Sequence, residues 1–132
     1  GQLSMRIRLR KGFGGTLVGL TDHFSVPWDL EDQFNNVFNL PIPASGSISP
    51  TIKLAPDRWY SVTFAWDTTL RKCRILIDGR LVKTVQDNRR SSGINYLRLR
   101  SVSDQPDTGL LIDSIKVDVS KSWPPGRKRS LN

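Results

Sequence analysis

Two groups of residues in this chain have the types and spacing to act on a ligand. The first lies within 22–36, where Asp22, His23, Phe24, Trp28, Asp29, Asp32, Asn35 and Asn36 crowd together. Trp28, near His23, offers an aromatic face on which a sugar ring can stack; the alternative is a plug that pins the loop to the body. Asp22, Asp29 and Asp32 are hard oxygen donors of the kind calcium takes, although they lack EF-hand spacing and could equally be solvated or capping carboxylates. The second group is a row of arginines. Arg6, Arg8 and Arg10 alternate along one run, and Arg98 and Arg100 repeat the pattern later. Guanidinium groups hold carboxylates or sulfates through forked hydrogen bonds, so such a row could clamp an acidic ligand. A solvated strand face, or an interface with a neighbouring domain, would look the same.

Catalytic chemistry finds less support. Glycoside hydrolysis needs two carboxylates flanking one bond. Glu31 is the only glutamate among eleven aspartates, and each Asp has a turn or strand-end explanation. His23 is the sole histidine, so spacing alone assembles no nucleophile–base pair around it. Cys73 lies between Lys72 and Arg74, which would favour a thiolate, but as an inward strand residue it reads as a small core hydrophobe. No catalytic residue is assigned. The chain is expected not to be an enzyme, or at most to be an accessory domain of one; no cofactor is expected, and calcium is the alternative its donors would suit.

The totals set the frame. A chain of 132 residues that is 37% hydrophobic can bury one core. A single cysteine forbids an internal disulfide. The formal net charge of +8 divides evenly, because Lys121, Arg127, Lys128 and Arg129 lie in a short acid-free tail. The remaining bias is modest and does not call for nucleic acid. No apolar run approaches the ~18 residues of a membrane span. The chain starts at Gly1 and enters a strand-like run almost at once, which suggests an excised piece or mature product.

The elements that must position these groups read as strands. Leu3, Met5, Ile7 and Leu9 alternate with Ser4, Arg6, Arg8 and Arg10, the period of a half-buried strand. A second strand is expected over 16–21. Residues 22–43 lose the periodicity and read as a long loop with a short strand at 36–40. Residues 47–54 read as one strand interrupted by Pro50. Over 59–66, Val62, Phe64 and Trp66 share a face, and Trp59 is expected in the core with Phe64 and Trp66. Asp78-Gly79 fits a two-residue type I′ turn. That register would set Leu76 opposite Leu81, Ile75 opposite Val82, and Arg74 opposite the like-charged Lys83. Over 96–102, Leu97 and Leu99 should face inward, with Tyr96, Arg98 and Arg100 outward. Over 110–119, Ile115, Val117 and Val119 should face inward. No segment carries a 3.6-residue apolar period, and the preference for Asp over Glu also points away from helices. Eight or so short strands imply a sandwich or barrel.

Residues 59–67 (Trp-Tyr-Ser-Val-Thr-Phe-Ala-Trp-Asp) and 73–82 (Cys-Arg-Ile-Leu-Ile-Asp-Gly-Arg-Leu-Val) resemble the central hairpin of laminin-G-like and pentraxin-like domains. Those domains belong to the concanavalin A-like lectin/glucanase fold. Residues 108–117 (Thr-Gly-Leu-Leu-Ile-Asp-Ser-Ile-Lys-Val) are similar to the closing strand of such domains. Residues 96–101 (Tyr-Leu-Arg-Leu-Arg-Ser) resemble β-sandwich modules attached to bacterial sialidase-like proteins with BNR repeats.

The resemblance implies an all-β, two-sheet antiparallel jelly roll with its first and last strands adjacent. Lys116 would then lie beside the first strand's arginines, and Arg98 and Arg100 could share their sheet. Many members bind glycans or proteins, and some hold calcium. The expected organisation is a lectin-like sandwich over 1–120 and a basic tail or linker over 121–132. The expected function is a non-catalytic, glycan-binding-like accessory module of a larger secreted protein, extracellular or periplasmic. Its partners would be a glycan, acidic in the arginine-clamp reading, and a neighbouring catalytic domain of the same parent; neither membrane nor nucleic acid is expected. Trp28, His23, Arg6, Arg8, Arg10, Arg98 and Arg100 are the candidate ligand contacts. The alternative is a structural or interaction module that packs on a sialidase-like catalytic domain or mediates oligomerisation.

Overall fold

Period-two alternation becomes strands almost wherever it occurs. The structure, a computed structural model, describes residues 1–24 and 34–119. Five strands build the larger sheet, in the spatial order β10 (Leu110–Asp118), β1 (Gln2–Leu9), β6 (Trp59–Asp67), β7 (Lys72–Ile77) and β8 (Arg80–Gln86). Three build the smaller: β3 (Phe38–Ile42), β2 (Thr16–Thr21) and β9 (Tyr96–Ser101). A short ribbon pairs β4 (Ser47–Ser49) with β5 (Ile52–Lys53). Every pairing is antiparallel, and the described residues contain no α-helix. The first and last strands are neighbours, as the resemblance implied.

The core forms where the inner faces meet. Met5, Ile7, Val62, Phe64 and Ile75 come from the larger sheet; Val18, Leu20, Phe38 and Leu40 come from the smaller. All nine are buried to within 2% exposure, so their burial supplies the main drive to fold, on the order of 1.5–3 kcal/mol per large side chain. Cys73 is buried among them, as the sequence suggested. Residues 47–54 form two strands rather than one. Pro50 and Thr51 turn the chain between them, because proline cannot continue the ladder. The short strand expected at 36–40 starts two residues later, at Phe38.

Four expectations about burial and register are corrected. Trp59 is half-buried on the outer face, beneath Arg6, whose Cζ lies 5.1 Å from a ring centroid. The hairpin at Asp78-Gly79 pairs Leu76 with Leu81, but a bulge then sets Ile75 opposite Lys83 and Arg74 opposite Thr84. The shift avoids the like-charged Arg74–Lys83 pair. Lys83 extends to the Ile48 carbonyl, 3.4 Å away. Finally, Ile115, Val117 and Val119 are 52%, 58% and 73% exposed. Leu110 and Ile112 still pack on the core, but a bulge at Ser114 (φ 56°) breaks the register, and beyond it the strand is exposed although Val117 lies opposite the core residue Leu3. Leu99, on an edge strand, is likewise 42% exposed.

Candidate functional site

The smaller sheet has a usable outer face. β2 and β9 pair so that Leu17 lies opposite Arg100, Gly19 opposite Arg98 and Thr21 opposite Tyr96. Since Val18 and Leu20 point into the core, the alternate positions Leu17 and Gly19 point outward. These residues floor a cleft of ≈ 270 Å³ whose rim carries His23, Phe24 and Asn36. Gly19 makes room for that rim. A Cβ there would collide with the Asn36 carboxamide, which lies across the strand, donates to Asn39 Oδ1 at 2.9 Å and accepts from Arg98 Nη1 at 3.2 Å.

Two aromatic rings stand at the opening. Phe24 is 76% exposed and Tyr96 43%, and they meet edge to face with centroids 6.5 Å apart. Single exposed apolar side chains are common, but two rings in contact at a cleft form an apolar patch of the kind that marks binding surfaces. The cleft therefore combines apolar ring faces with the guanidinium donors of Arg98 and Arg100 and the amide of Asn36. That combination can hold a ring-shaped polar ligand by stacking and directed hydrogen bonds.

The rim is latched from behind. Arg89 forks onto Asp22, with Nη1 3.0 Å from one carboxylate oxygen and Nη2 on the other, while its Nε donates to the Asn35 carbonyl at 2.8 Å. Ser91 Oγ adds a 2.7 Å bond to Asp22, and Asn88 Nδ2 donates to the Asn36 carbonyl at 3.1 Å. The 88–91 stretch thus ties both stems that flank the cleft, 21–23 and 35–37. Arg89 holds the Asp22 carboxyl well below the usual carboxylate range, opposed by burial and helped by Ser91 and His23. His23 Nδ1 lies 2.9 Å from Thr21 Oγ1, 3.1 Å from Arg89 Nη2 and 3.2 Å from the Asp22 carboxylate. Nδ1 accepts from Arg89 in one tautomer or donates to Asp22 in the other, never both at once.

The seven candidate contacts fall in different places. His23, Arg98 and Arg100 come together in the cleft. Arg6 and Arg8 lie on the other sheet, with Arg10 just past the end of β1, and do not join them, because a strand's sheet partner is set by topology rather than by its own alternation. Arg6 stacks on Trp59, Arg8 makes a loose 3.9 Å ion pair with Asp57, and Arg10 is exposed. Trp28, Asp29 and Asp32 lie outside the described residues, as does the 121–132 tail. Asp22, the third calcium candidate, is engaged by Arg89, and no metal-sized cluster of His, Cys, Asp or Glu occurs among the described residues. Cys73 is sealed in β7, where burial pushes its thiol up to about 12.

Sequence reasoning had placed Phe24 beside Trp28 and Tyr96 outward without making either a contact. Tyr96 could have been found, since it heads the outward row that continues with Arg98 and Arg100. Nothing local marks Arg89, whose partner is 67 residues away.

Comparison with protein-family models gives no match, and neither does comparison with curated proteins. Among solved structures, a chain described as a sialidase superposes on 87% of this one with a TM-score of 0.60 at 13% sequence identity. This chain spans 13% of that sialidase's length. At that identity the likeness is one of fold: an all-β antiparallel sandwich similar to one part of a sialidase.

Proposed function

We propose that this chain is a non-catalytic, glycan-binding accessory module of the kind carried by sialidases, and that the cleft over β2 and β9 is its sugar site. One observation carries the reading: the exposed Phe24–Tyr96 pair stands beside Arg98, Arg100 and Asn36 in one cleft. A pyranose presents an apolar C–H face and a rim of hydroxyls, and the cleft offers rings for the first and fixed donors for the second. Arg98 and Arg100 would also suit a carboxylate-bearing sugar. Trp28, four residues after Phe24 in the sequence, is proposed as a further stacking residue.

The adjacency of β1 and β10 and the Asp78-Gly79 hairpin support a laminin-G-like jelly roll of the concanavalin A-like fold. We place the module beside a catalytic domain in a larger secreted protein, where it would hold that domain near its substrate. The fold-level likeness to a sialidase segment supports this context. No calcium is given a role in the cleft, because Asp22 serves the latch.

The test is binding of the intact chain to an array of neutral and acidic oligosaccharides. Retention of at least one glycan, weakened in Tyr96→Ala and Trp28→Ala, is expected. If no glycan binds, or if both variants bind as well as the parent, the reading fails.

A further inference from the structure

The two edges of the larger sheet are finished differently. β8 carries Arg80 and Lys83 along its length, with Leu81 its one large exposed apolar residue. β10 runs for nine residues without a proline and exposes Leu111, Ile115 and Val117, continued by Val119. Long edges with exposed apolar side chains template further strands, whereas charge and bulges blunt them; β10 carries Asp113, Lys116, Asp118 and a bulge at Ser114, so a pairing strand must satisfy all of these.

We propose that β10 pairs with β10 of a second copy, antiparallel about a two-fold axis, so that the two larger sheets become continuous. Charge and register select this occupant. Asp113 and Lys116 are both exposed; Asp113 lies opposite Arg6 and Lys116 opposite Ser4 across the β1–β10 ladder, and neither makes an ion pair among the described residues. An axis between Ser114 and Ile115 sets Asp113 opposite Lys116 twice over, Ile112 opposite Val117, and Leu110 opposite Val119. Registers centred on Asp113 or Lys116 would set like charges face to face. The bulge fits the same register. With Ser114 at φ 56° and the ladder shifted there, β10 consists of two regular halves. Each half meets the partner's other half, and the two bulges lie together at the axis. An isologous interface of this kind closes at two copies. This inference is independent of the sugar site, which lies on the other sheet.

Sedimentation equilibrium of the full chain over a wide concentration range tests it, with circular dichroism reporting the fold of each variant. A dimer is expected. Asp113→Lys and Lys116→Asp should each raise its dissociation constant about tenfold, because each creates two like-charged pairs. The double variant D113K/K116D should return to within about threefold of the parent. A monomer at every concentration would overturn the proposal, whatever else covers the edge. So would a dimer that ignores the single substitutions, or a double variant no better than the singles.

Discussion

Tyr96 and Asp22 serve the cleft in opposite ways, one by meeting solvent and the other by being spent on its neighbours. Since Tyr96 is 43% exposed, Tyr96→Ala should keep the fold and weaken glycan binding about tenfold, as calorimetry would show. Asp22 acts through Arg89, and its pH behaviour follows from its depressed carboxyl. A group whose folded value lies below its unfolded one stabilises fully above the unfolded value, ~3.9 for Asp, and loses that contribution as pH falls toward the folded one. Asp22→Asn should therefore lower Tm equally at neutral and mildly acid pH, and the difference from the parent should shrink only in stronger acid. Cys73 makes a simpler case. With its thiol pushed up to about 12 and its side chain buried, it should resist alkylation in the native protein and react once denatured.

At the scale of elements, strands were legible because alternation is local, and the Asp78-Gly79 turn was legible because few residues accept positive φ. The bulge before it was not. It resolves a clash between Arg74 and Lys83 that appears only once the strands are paired. The exposure of Ile115 and Val117 was hidden for a related reason. Period two tells which residues share a face, but not whether a second layer covers that face. Loops were least legible, since their fixed points are distant pairs such as Arg71 with Asp87. Arg71 Nε donates to both Asp87 oxygens, at 3.1 and 2.9 Å, and the Asp87 side chain is only 1% exposed. Arg71→Met would leave the buried Asp87 carboxylate without its partner and should lower the midpoint of denaturant unfolding. Asp87→Asn, which leaves no charge uncompensated, should cost less.

On the scale of the whole molecule, the sandwich has two outer faces with different cationic chemistry. On the larger sheet, arginines lie over Trp59 or beside Asp57; on the smaller, they line a cleft with exposed rings. The outward arginines were readable from sequence, but their division between two sheets was not, because long-range pairing decides it. The proposed sugar site lies on the smaller sheet. The most direct test is amide chemical-shift mapping of the intact chain titrated with a glycan retained on the array. Shifts concentrated at Leu17, Gly19, Phe24, Tyr96, Arg98 and Arg100 are predicted. Shifts concentrated instead around Arg6, Arg8 and Trp59, or no saturable shift with any glycan, would contradict it.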